Sequence, residues 1–144
     1  MTLCNVLLVD DETGFVETMA KRLAKRNLSV STACNGNEAL DKLKKEGTTE
    51  VVILDVKMPG MDGIETLKEI KKRHPLVEVI MLTGHATVES AIEGMKWGAH
   101  DYLMKPCEME LLMAKVDEAA AKKRRHEERI AEARIKEISA KRGY

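Results

Sequence analysis

Four apolar segments of this 144-residue chain end on side chains that could do chemistry together. Asn5–Val9 runs into Asp10-Asp11-Glu12, Val51–Leu54 into Asp55, Glu78–Leu82 into Thr83, and Asp101–Met104 into Lys105-Pro106. Three crowded carboxylates repel and raise one another's pKa unless a cation neutralises them. An all-oxygen set with few protein ligands suits Mg²⁺, which keeps several waters and binds through one or two carboxylates plus phosphate oxygens. Mn²⁺ is the substitute ion. Beside such an ion one carboxylate can attack phosphorus and form an acyl phosphate. A lysine ammonium and a threonine hydroxyl are suitable donors to the transferred oxygens. Each residue alone has an ordinary reading: an Asp after a strand often caps a helix, a Thr often belongs to a loop or cap, and a lone Lys is usually solvated. Their coincidence at four segment ends favours one shared site. His74, His100 and His126 lack metal-ligand spacing, and no phosphate-binding glycine loop or nucleophile-elbow motif is present.

Positioning such a set requires a particular architecture. The candidate strands are Asn5–Val9, Leu28–Ala33, Val51–Leu54, Glu78–Leu82 and Asp101–Met104, short and rich in Val, Ile and Leu as strands buried on both faces are. Helical patterns lie between them. Phe15, Val16, Met19 and Leu23 share one face, as do Ala39, Leu40 and Leu43, then Ile64, Leu67 and Ile70; Gly36, Gly47, Gly63, Pro75 and Gly98 punctuate the joins. Alternation at this spacing predicts βαβ units, a parallel sheet and helices on both faces. The carboxyl ends of parallel strands lie on one edge, where open α/β folds bind ligands. Asp10, Asp11, Asp55, Thr83 and Lys105 are therefore expected in one small area.

Composition agrees with one globular domain: 44% apolar and 33% charged residues exclude global disorder. No apolar run approaches the ~20 residues of a membrane span, and Met1-Thr2-Leu3-Cys4 has no leader pattern. A cytoplasmic location is expected, with Cys4, Cys34 and Cys107 reduced and structural. Residues 1–121 hold 15 Lys/Arg against 20 Asp/Glu, whereas residues 122–144 hold 9 against 4. An acidic body of residues 1–121 and a basic helical extension of residues 122–144 follow.

The segments Val6–Glu12, Val52–Gly63, Met81–Ala86 and Asp101–Pro106 resemble the receiver domain of two-component response regulators. Leu82 to Pro106 is most similar to receivers of the enhancer-binding, nitrogen-regulation class. The resemblance implies a flavodoxin-like sheet of strand order 2-1-3-4-5, with phosphorylation on Asp55 by a sensor histidine kinase or histidine phosphotransferase. It also implies Mg²⁺ held by Asp11, Asp55 and the Lys57 carbonyl, with Asp10 acting mostly through water. Lys105 would pair with the phosphoryl group, Thr83 would swing toward it, and Tyr102 would follow as the switch aromatic. Lys105-Pro106 would be cis, a choice feasible before proline. The α4–β5–α5 surface would signal to an output protein or domain, and a homodimer could form on phosphorylation. Such a switch catalyses only its own phosphorylation and dephosphorylation. Lys57 and His85 should flank the phosphoryl group; their bulk predicts a long-lived phosphorylated state, and the alternative is two solvated side chains with no kinetic role. The rivals are a small Mg²⁺-dependent phosphatase with an aspartyl nucleophile, and an adaptor of receiver shape that works without phosphorylation.

From Glu108 to Arg142 there is neither proline nor glycine, so one last helix of about 35 residues is expected. Leu111, Leu112 and Val116 should pack on the sheet. Lys122 to Arg129 has no apolar face, and Ile130, Ile135 and Ile138 give a weak stripe. A solvated extension, a dimerisation or docking helix, and a nucleic-acid arm all remain open, the last least favoured because Glu residues follow the basic cluster and aromatic interleaving is lacking. Met81, Met104, Met109 and Met113 read as packing residues, and Trp97 as a partly buried helix-end aromatic.

Overall fold

The structure, a computed structural model, describes residues 4–141, so Met1–Leu3 and the last three residues of the extension lie outside it. Five strands alternate with five helices: β1 (Cys4–Val9), α1 (Thr13–Ala24), β2 (Leu28–Ala33), α2 (Gly36–Glu46), β3 (Val51–Leu54), α3 (Gly63–Arg73), β4 (Glu78–Thr83), α4 (Val88–Lys96), β5 (Asp101–Met104) and α5 (Met109–Lys141). The strands form one parallel sheet in the order β2-β1-β3-β4-β5. The expected fold is the observed one, and the strand spans differ only by Cys4 and Thr83 at their ends.

Alternation along each strand divides the core in two. Leu7, Val9, Val52, Leu54, Val79 and Met81 face α2 and α3, meeting Leu40, Leu43, Leu67 and Ile70. Val6, Leu8, Val51, Ile53, Ile80 and Leu82 face α1 and α5, meeting Met19, Leu23, Leu112 and Val116. Burial of both faces is why these strands read as continuous apolar runs. Helix starts carry local signals too. The Asn35 and Asp62 carbonyl and carboxylate oxygens accept the N–H of Glu38 and Glu65 at 2.8 and 2.9 Å, and Thr87 and Ser90 form a reciprocal cap on α4. α2 ends on Gly47 at φ +65°, in the left-handed region that favours glycine.

Two packing expectations fail. Leu111 is 46% exposed and Met104 65% exposed. Leu111 falls one helical position off the stripe of Leu112, Val116 and Ala119 that meets the sheet. Met104 is the last residue of the edge strand β5 and the one exposed position of that strand. Trp97 stands at the C-cap of α4, its indole N–H donating to Glu93 Oε2 at 3.0 Å and the Lys68 ammonium 4.5 Å from the ring centre. The three cysteines are free, and burial, aided by Glu50, pushes the Cys4 thiol up to about 11.

α5 runs unbroken past residue 121. Its charged stretch is anchored rather than free: the Arg124 guanidinium donates to both oxygens of Glu50 at 2.8 and 3.0 Å, and Lys122 lies 3.7 Å from Glu78. Among the described residues no helix is long and apolar enough to cross a membrane.

Candidate functional site

The residues expected together are together. Asp10 follows β1 with 2% exposure, and its Oδ1 accepts the Glu12 N–H at 2.9 Å. That contact turns the chain from β1 into α1, so neither Asp10 nor Asp11 is the N-cap; Glu12 is, without a side-chain cap. Asp55 N–H donates to Val9 O at 3.0 Å, continuing the β1–β3 ladder one residue past the strand. Its side chain is 1% exposed; Oδ1 accepts the Val56 N–H at 2.8 Å, while Oδ2 is buried with no hydrogen-bond partner. Carboxylate oxygens of Asp10, Asp11 and Asp55 all lie within 4.8 Å of one another.

The other two strands complete the ring. Thr83 is fully buried at the end of β4, its Oγ1 accepting the His85 N–H at 3.0 Å. Lys105 N–H donates to Thr83 O at 2.9 Å, and the Lys105-Pro106 bond is cis. The Lys105 ammonium reaches back to Asp10 Oδ2 at 2.6 Å. Asp11 is exposed at the mouth, where Glu12, Lys57, Met58, Pro59 and His85 help line a cavity of about 380 Å³. Lys57 and His85 therefore flank the same opening. Tyr102 is half-buried on β5, its hydroxyl 2.5 Å from Ser90 Oγ at the start of α4.

Electrostatics follow from this crowding. Burial raises the Asp55 carboxyl above its ordinary 3.8, the Asp10 charge adds to the rise, and Thr83, Lys105 and the Val56 N–H oppose it. Three carboxylates face one ammonium, and one buried oxygen is unpaired. An oxygen-only set with this excess of negative charge fits a hard divalent cation such as Mg²⁺. Two contributors were not legible as such in the sequence. Gly63 donates its N–H to Val56 O at 2.7 Å, and a Cβ there would stand 2.0 Å from Asp55 O, so only glycine lets α3 start against the Asp55 loop. Phe15, read only as part of the apolar face of α1, has its ring centre 3.8 Å from Lys105 Nζ.

A family model described as response regulator receiver domain matches residues 6–117. The chain belongs to the response regulator receiver domain family. This receiver is 40% identical over 112 residues to the DNA-binding transcriptional regulator NtrC of Klebsiella pneumoniae, covering 78% of the chain and 24% of the relative. It is 38% identical over 128 residues to the transcriptional regulatory protein ZraR of Klebsiella oxytoca, covering 89% of the chain and 29% of the relative. The receiver thus spans about a quarter of the length of the curated relatives it matches. Among solved structures, a response regulator receiver domain protein from Clostridium thermocellum superposes with a TM-score of 0.80 at 36% identity, covering 85% of this chain and 98% of that one. The receiver resemblance read from the four motifs holds, nitrogen-regulation class included.

Proposed function

We propose that this receiver is a phosphorylation switch in which Asp55 takes a phosphoryl group from a phosphohistidine of a sensor histidine kinase or histidine phosphotransferase. The observation that carries the proposal is the unpaired, buried Oδ2 of Asp55, set among Asp10, Asp11, Thr83 and Lys105. That oxygen attacks phosphorus; a P–O bond forms, the P–N bond to the imidazole breaks, and the leaving nitrogen takes up a proton. Mg²⁺, or Mn²⁺ in its place, held by Asp11, Asp55 and the Lys57 carbonyl with Asp10 behind them, would offset the negative charge of carboxylates and phosphoryl oxygens. The Lys105 ammonium exchanges its Asp10 contact for the phosphoryl group, and the Thr83 hydroxyl turns from the His85 N–H to donate to it. Tyr102, tied to Ser90, follows Thr83 and changes the α4–β5–α5 surface read by an output protein or domain. Hydrolysis by water at phosphorus restores the carboxylate and releases inorganic phosphate. Lys57 and His85 obstruct that water and lengthen the signal.

A homodimer on phosphorylation is one form of output, and the switch works in the cytoplasm. An aspartyl-nucleophile phosphatase would place a second acid two residues after Asp55; Lys57 stands there instead. An adaptor without phosphorylation would have no use for the full set of acids and the lysine.

Incubation with acetyl phosphate, followed by intact mass, tests the reading. The expected result is a single phosphoryl adduct that requires Mg²⁺ and is absent in Asp55→Asn. No adduct under any condition would leave the adaptor reading in its place.

A further inference from the structure

Lys105 is held from two sides. Its ammonium meets Asp10 Oδ2 at 2.6 Å and lies 3.8 Å from the centre of the Phe15 ring. The two holders come from the same turn: Asp10 follows β1, its Oδ1 fixes the Glu12 N–H, and Phe15 follows in the first turn of α1. The lysine arrives from the far edge of the sheet, through a backbone bond to Thr83 O. Its side chain is 15% exposed, so it is largely enclosed by protein groups. A carboxylate alone would draw the ammonium toward Asp10 and leave its other side to water. An aromatic face offers attraction without a competing negative charge, and it excludes water over the area it covers. Phe15 is itself half-buried against the α1–α5 core, so the ring is a fixed surface.

We propose that Phe15 is a positioning residue for phosphoryl transfer. Its ring holds the Lys105 ammonium over the site through a cation–π contact, so the ammonium can leave Asp10 for the phosphoryl group without swinging into solvent. This rests on Asp55 being the acceptor. The bland account of Phe15 is apolar packing alone, and it has a different signature. A leucine at this position keeps apolar contact with the core and removes the aromatic face.

The test follows adduct formation from acetyl phosphate with Mg²⁺ in five proteins: the unaltered chain, Phe15→Leu, Phe15→Trp, Lys105→Ala, and Phe15→Leu combined with Lys105→Ala. Phe15→Leu is expected to slow phosphorylation about three- to ten-fold, the scale of a partly desolvated cation–π contact. Phe15→Trp restores the rate, and in the Lys105→Ala background the leucine substitution has no further effect. Independently of any reaction, the ε-protons of Lys105 should show an upfield ring-current shift by NMR that disappears in Phe15→Leu and persists in Phe15→Trp. Phe15→Met serves as a second non-aromatic variant if the leucine variant loses folded protein by circular dichroism. An unchanged rate in Phe15→Leu, an equal slowing with and without Lys105, or the lack of a ring-current shift in the unaltered chain would each overturn the proposal. Absence of an adduct on the unaltered chain is a different failure: it overturns the acceptor reading itself and takes the role of Phe15 with it.

Discussion

Buried carboxylates occupy both ends of this sheet, and their company differs. At the carboxyl end, the buried Asp10 and Asp55 and the exposed Asp11 cluster, the Lys105 ammonium is paired with Asp10, and an oxygen of Asp55 has no partner. At the amino end, Glu50 precedes β3 and Glu78 begins β4, both screened from solvent. Glu50 is gripped by both arms of the Arg124 guanidinium; Glu78 Oε1, like Asp55 Oδ2, accepts no hydrogen bond, but the ammonium groups of Lys71 and Lys122 stand 3.7 Å from it and supply its counter-charge. Cations match or outnumber acids there; at the other end acids outnumber the cation. The pKa directions record the contrast. Burial alone would raise the Glu50 carboxyl, but the Arg124 hydrogen bonds and charge overcome it and hold the group below its ordinary 4.5. Burial raises Asp55, and no partner of comparable strength reverses it. The lesson is that a buried acid by itself marks nothing. A deficit of counter-charge marks the end that awaits a ligand, and balance marks the end that fastens a helix.

Breaking the balanced end should have the largest effect. Arg124→Ala leaves the Glu50 carboxylate mostly buried with the Asn5 N–H, at 3.4 Å, as its remaining hydrogen-bond donor, and is expected to cost about 1–3 kcal/mol in urea denaturation at pH 7. Because Glu50 is held below 4.5, its stabilising share is full above that value and is lost as pH falls through its folded-state pKa. The gap between variant and parent should therefore close in acid, and a gap that persists there would mean Arg124 acts by packing alone. Relieving the unbalanced end should move stability the other way. Asp55→Asn removes the raised carboxyl and is expected to gain about 1 kcal/mol without metal, or roughly 2–4 °C in Tm. Here the folded-state pKa lies above 3.8, so the group's stabilising share is full below that value and is lost as pH rises through the folded-state pKa; the advantage of the asparagine should shrink on acidification. Mg²⁺ at ten times its dissociation constant should add about 1.4 kcal/mol to the parent and less to the variant, and chelation should remove the gain. The smallest effect is expected from Lys122→Ala, under about 1 kcal/mol, because the lysine is partly solvated and Glu78 keeps Lys71. A large loss there would show that the second ammonium is indispensable and that the anchor is a network.

The sequence exposed what is periodic or repeated and hid what is paired at a distance. Strands were legible because both their faces are buried, which writes continuous apolar runs such as Val51–Leu54. The site was legible because each strand delivers its chemistry one residue past its last apolar position. Arg124 and Glu50 are 74 residues apart, so no local pattern announces their contact. The stretch from Lys122 to Arg129 accordingly read as a segment with no apolar face and its role open, and nothing in it announced that its first turn is bound to the domain. Phe15 was hidden differently: its place on an apolar helix face was correct, and its contact with Lys105 depends on how the first turn of α1 meets the far strand. Leu111 and Met104 show that an apolar residue near the core still needs a neighbour on its own side.

Trp97 is the chain's single tryptophan, and it sits where α3 and α4 meet, with Lys68 of α3 over its ring and Glu93 of α4 on its indole N–H. Indole emission is sensitive to charges near the ring and to hydration at its nitrogen. The protein therefore carries its own optical gauge: a displacement of α4 against α3 carries the Glu93 contact along and shifts the ring relative to the Lys68 ammonium, which registers as a change in intensity or wavelength, with no label attached.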